Sequence, residues 1–145
     1  DVEAAARDLA RLGFDELAGV LGGGMGAWEM GGRPLAATDT VSVHQLCNVL
    51  DGVTPAHLLD VRTQSELRDS GVVEGAAHIP LAEVPGRLAE VPDDAPLYVF
   101  CGSGARAMMA ASLLERDGRA DVHVVLGGFS AWRSTTCPLR PPAAV

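Results

Sequence analysis

Leu97-Tyr98-Val99-Phe100-Cys101-Gly102-Ser103-Gly104-Ala105-Arg106, running on into Ala107-Met108-Met109-Ala110-Ala111-Ser112-Leu113-Leu114, is the stretch that decides the fold. Four apolar residues in a row, two of them aromatic and one β-branched, suit a strand covered on both faces. Gly102 and Gly104 allow a tight turn with backbone N–H groups pointing inward. Arg106 closes the loop, and the good helix formers from Ala107 to Leu114 meet no breaker until Gly118. Cys101 therefore falls at a strand-to-loop junction, in front of a helix N-terminus. Unpaired N–H groups and the helix dipole favour negative charge there, so the thiol pKa is expected below the free value of about 8.5. The reading is a nucleophile with an anion cradle around it, to which Arg106 adds a forked cation.

Composition sets the limits. With 145 residues the chain allows one ordinary domain and a fragment of another. At 48% apolar and 21% charged residues it can build a core and is not a disordered chain. A net charge of −8, with eleven basic residues scattered along the chain, argues against a nucleic-acid grip. No run is long and apolar enough for a membrane span, and no signal peptide is expected. Cys47, Cys101 and Cys137 are an odd count at wide spacing, with no CxxC and no Cys/His pair at zinc spacing. Neither a metal site nor a disulfide scaffold is indicated, no cofactor is expected, and a reducing, cytoplasmic setting fits.

Elsewhere strands alternate with helices. Thr40-Val41-Ser42 supplies a strand and an N-cap, and Val43, Leu46, Cys47 and Leu50 make the apolar stripe of a helix, with Cys47 as core and His44 as surface. His57 to Arg62 is a second strand, and Thr63 caps a short helix from Gln64 to Arg68. Ala76 to Ile79 is a third strand, with His78 as a hydrogen-bonded structural histidine. Leu81 to Glu90 is a helical stretch broken by Pro85-Gly86. Val122 to Leu126 is a fifth strand, and a short helix carries Trp132. The pattern predicts an α/β fold, an open five-stranded parallel sheet with helices on both faces. The C-terminal ends of three strands then deliver Asp60, Cys101 and Gly127 to one crevice edge.

The first 36 residues repeat the end of the chain. Leu126-Gly127-Gly128-Phe129-Ser130-Ala131-Trp132-Arg133 parallels Leu21 to Glu29 with one extra glycine in the earlier copy, and Cys137-Pro138-Leu139 parallels Arg33-Pro34-Leu35. Helix Glu3 to Leu12 and a short strand at Leu17 to Leu21 would complete that half-repeat. The alternative is an N-terminal helical extension.

Cys-Gly-Ser-Gly-Ala-Arg after an apolar strand resembles the active-site loop of rhodanese-type sulfurtransferases, and Asp60-Val61-Arg62 resembles another hallmark of that family. Gly71 to Leu81 is similar to the family's Gly-His-Ile-Pro-Gly-Ala-x-Asn-Ile-Pro-Leu segment, with Val72 in the place of His, Glu74 in the place of Pro and His78 in the place of Asn. The resemblance implies a tandem arrangement. Residues 1–36 would be the C-terminal remnant of a preceding unit, and residues 37–145 a complete rhodanese-like domain. It also implies sulfur transfer through a persulfide on Cys101, from a small anionic donor such as thiosulfate, a persulfide or a polysulfide to a thiol or cyanide acceptor. Gly102, Ser103, Gly104, Ala105, Arg106 and Ala107 would bind the substrate. Asp60 and Arg62 either support the loop and its mouth or simply brace a turn. Related phosphatases carry five residues between Cys and Arg, whereas four separate Cys101 from Arg106 here, a ring that suits a sulfur atom better. A sulfur-relay or docking module within a larger sulfur-metabolism fusion, beside a fused or partner sulfur enzyme, is the alternative.

Overall fold

The computed structural model describes residues 1–11, 16–52 and 55–135. The chain divides into two compact units, Asp1–Ala37 and Thr38–Val145. The first holds α1 (Val2–Arg11) and α2 (Gly24–Met30), neither with a buried residue. In it Arg33 stacks over the Trp28 ring at 4.9 Å, and the Trp28 indole N–H donates to the Pro34 carbonyl at 3.0 Å. The strand expected at Leu17 to Leu21 is absent. Leu17, Val20 and Leu21 are exposed, and an extended segment becomes a strand only where a neighbour completes its ladder.

The second unit runs β1 (Asp39–Ser42), α3 (Val43–Leu50), β2 (His57–Asp60), α4 (Gln64–Ser70), β3 (Ala77–His78), two 3₁₀ turns (Leu81–Gly86 and Leu88–Glu90), β4 (Leu97–Phe100), α5 (Ala105–Arg116), β5 (Val122–Leu126) and α6 (Gly128–Trp132). All five strands are parallel, in the order β1-β5-β4-β2-β3. Central β4 is buried along its whole length, as its unbroken apolar run requires.

Side-chain alternation along the strands divides the core. Leu59, Leu97, Val99, Val124 and Cys101 lie in one cluster with Ala107, Ala110, Ala111 and Leu114 of α5, and with Val84 and Val91. Leu58, Tyr98, Phe100 and Val125 lie in the other with Val43, Leu46 and Leu50 of α3 and Phe129 and Trp132 of α6. Three alanines on the buried face of α5 bring that helix close to the sheet. Both short helices after β1 and β2 open on complete capping boxes, Ser42 with Gln45 and Thr63 with Glu66. His44 is exposed, and His78 Nε2 is hydrogen-bonded to the Arg62 carbonyl at 2.8 Å. Cys47 is half-buried against the α3–α6 cluster and is disulfide-bonded, against the expectation from cysteine spacing, which reads only sequence-local pairs.

Chain direction locates the site. From β2 the chain moves outward to β3, and from β4 it moves the opposite way to β5. The carboxyl ends of β2 and β4 therefore flank a topological switch point, where crevices form in open α/β sheets. No helix among the described residues is long and apolar enough to cross a membrane, and those residues hold no His/Cys/Asp/Glu cluster able to bind a metal.

Candidate functional site

Cys101 directly follows β4 and is 1% exposed. Its Sγ accepts a hydrogen bond from the Gly104 amide at 3.1 Å. Burial alone would push the thiol up. The amides of Gly104, Ala107, Ser103 and Arg106 outweigh that and hold its pKa below the ordinary 9.0. Gly104 reaches this position with φ +122°, a conformation that disfavours a side chain. Gly102 has no such φ; it matters instead as part of the wall of the mouth.

The loop is pinned from behind by α6. The Phe129 amide donates to the Cys101 carbonyl at 2.7 Å, and the Ser130 amide to the Gly102 carbonyl at 3.1 Å. This approach demands a bare α-carbon at Gly128. A Cβ there would lie 2.3 Å from the Cys101 carbonyl oxygen, and φ is +50°. The glycine pair after β5 is thus part of the site's frame.

Asp60 and Arg62 turn to each other. The guanidinium donates to both carboxylate oxygens, with Nη2 to Oδ2 at 2.6 Å, and the Arg62 amide donates to Oδ1 at 3.0 Å. Both residues are buried. Arg62 also donates to the Gly71 carbonyl at 2.9 Å, and its Cζ lies 3.7 Å from the centre of the Phe129 ring. Its Nη1 is buried with no hydrogen-bond partner; the stacking on Phe129 offsets part of that cost. The pair ties the end of β2 to α4 and to the start of α6, behind the cysteine loop.

Arg106 is not a free cation. Its Nη1 and Nη2 donate to the two oxygens of Glu66 at 2.7 and 2.6 Å, a bidentate pair at the half-buried mouth of the loop. Arg106 holds the Glu66 carboxyl at about 2, well below the usual carboxylate range. In return Glu66 first, and the Cys101 sulfur to a lesser degree, raise the guanidinium pKa further. Glu66 serves a second purpose, since its Oε2 accepts from the Thr63 amide at 2.9 Å and so completes the α4 cap.

Beside this pair lies a groove of about 440 Å³ lined by Arg62, Glu66, Ser70, Gly102, Phe129, Ser130, Arg133 and Ser134. The structure thus brings Ser103, Gly104, Arg106 and Ala107 to the sulfur and Gly102 and Arg62 to the groove. Ala105 begins α5 as an exposed residue. The sequence reading passed over Glu66, Phe129 and Ser130. Glu66 had a signal in Thr-x-x-Glu before an apolar position, and Gly127-Gly128 marked a close backbone approach.

Residues 42–135 match the family model Rhodanese-like domain. The chain is 35% identical over 81 residues to the uncharacterized protein YqhL of Bacillus subtilis, spanning 56% of this chain and 64% of that one. It is 33% identical over 85 residues to a sulfurtransferase of Allochromatium vinosum, spanning 59% and 78%. Among solved structures, reduced CoADR-RHD of Bacillus anthracis superposes with a TM-score of 0.59 at 37% identity, over 66% of this chain and 16% of that one. The chain belongs to the rhodanese-like family.

Proposed function

We propose that the protein transfers sulfane sulfur through a persulfide on Cys101, from thiosulfate, a persulfide or a polysulfide to a thiol or cyanide. The observation that carries this reading is the place of Cys101 between β4 and α5, where the Gly104 amide donates to its Sγ at 3.1 Å and the other loop amides favour its charged form. They stabilise a thiolate, and equally the terminal sulfur of a persulfide, without a general base. The thiolate attacks the outer sulfur of the donor. The donor S–S bond breaks, and sulfite or a thiolate leaves with the electron pair. In the second half the acceptor attacks the outer sulfur of Cys101–S–S⁻ and the thiolate is regenerated. Two half-reactions through a covalent intermediate imply ping-pong kinetics. Gly102 to Ala107 form the substrate cradle, and Asp60 with Arg62 hold its frame.

The test is mass. Incubation with a sulfane donor is expected to add one sulfur atom to the intact protein, and a thiol or cyanide is expected to remove it. In Cys101→Ser neither change should occur. A wild-type protein that gains no sulfur from any of the three donor types overturns the reading.

A further inference from the structure

Charge at the mouth of the loop is arranged in a way that bears on which donors enter. Arg62 is neutralised by Asp60, and Arg106 by Glu66. Arg133, exposed on the groove rim, makes no ion pair among the described residues. The Glu66–Arg106 pair also stands directly over the first residue after the cysteine. A Cβ on Gly102 would meet Arg106 Nη2 at 3.4 Å and Glu66 Oε1 at 3.6 Å. A dianion approaching the sulfur therefore meets, inside the rim where Arg133 stands, a carboxylate beside the Arg106 guanidinium. That guanidinium already spends two of its donors on Glu66.

We propose that Glu66 sets the charge class of the sulfur donor: by holding Arg106 in a neutral pair over Gly102, it turns the mouth away from the dianion thiosulfate and toward donors of lower charge, organic persulfides above all. The proposal rests on the sulfurtransferase reading and deepens it. An organic persulfide presents a single negative charge on its terminal sulfur, which the amide cradle can receive. Its carbon portion can lie in the groove along Phe129. Glu66 is a specificity-determining residue here; it takes no part in bond making.

The experiment measures initial rates of sulfur loading onto Cys101 by intact mass, with thiosulfate and with cysteine persulfide. Each rate is divided by that of the same donor with a small free thiol. In the wild type the normalised rate should be higher for cysteine persulfide. In Glu66→Gln, which keeps a residue suited to the capping box, the thiosulfate-to-persulfide ratio should rise about tenfold, through a lower KM for thiosulfate, because one full charge is removed beside a dianion. Glu66→Ala should shift the ratio in the same direction. A ratio that stays put or falls in Glu66→Gln overturns the proposal while leaving sulfur transfer intact. A wild type that prefers thiosulfate after normalisation also overturns it, whatever the variants' stability. Failure of both donors to load the wild type would instead remove the sulfurtransferase reading on which it rests.

Discussion

Gly128 and Glu66 show how single residues hold the cysteine loop. At Gly128 even a methyl group collides with backbone, the Cys101 carbonyl at 2.3 Å, and a positive φ must be adopted as well. Backbone cannot give way as a flexible side chain can, so Gly128→Ala is expected to cost at least about 1–3 kcal/mol. It should also slow sulfur loading by displacing the loop that α6 pins. Chemical denaturation and loading rate measured on the same sample check both. Glu66 makes stability depend on acid. Its carboxyl titrates near 4.5 when unfolded and about 2 when folded, so the folded form is favoured by the ionised state. That contribution is complete above pH 4.5 and is lost as pH falls toward 2. Thermal midpoints of wild type and Glu66→Gln should therefore converge across that window, the wild type losing more. Cys101 was legible from the sequence because its environment is local: a strand, two glycines and a helix start, all within ten residues. Glu66 was half legible. Its place in a capping box is written in four consecutive residues, but its partner lies 40 positions away, and no local pattern encodes that distance.

At the scale of elements, β2 ends on a buried ion pair that joins strand, helix and loop. Removing one partner leaves the other charged and dry. Asp60→Ala is expected to destabilise by about 3–5 kcal/mol, because an unpaired buried guanidinium costs far more than the pair contributes; the urea midpoint is the measurement. The elements of the second unit could be read in advance because their signals agree with one another. Ser42 and Thr63 cap where periodicity begins, Pro85-Gly86 breaks the helix into 3₁₀ turns, and apolar runs mark strands buried on both sides. Leu17 to Leu21 had the composition of a strand and does not form one, since pairing is decided by neighbours that composition does not describe. The crevice edge was expected from the C-terminal ends of three strands, and the strand order of the structure sets it between β2 and β4, whose crossovers run to opposite sides. Which side chains would close its mouth did not follow.

At the scale of the whole molecule, every buried side chain among the described residues lies between Val43 and Trp132. A chain cut to Thr38–Val145 keeps that entire core and should unfold in a single cooperative transition and still take up sulfur on Cys101. Loss of cooperativity in calorimetry would count against this. We propose, from the half-repeat, that residues 1–36 descend from a preceding rhodanese-like unit.

The two tryptophans divide between the two units. Trp28 is half-exposed with a guanidinium over its ring, whereas Trp132 is 6% exposed within the α3–α6 core, next to the residue that follows the short helix pinning Cys101. Their emission must therefore differ in colour and in access to a quencher such as iodide. The protein carries its own pair of optical reporters, one for each unit, and the blue-shifted one sits on the helix whose first turn grips the cysteine.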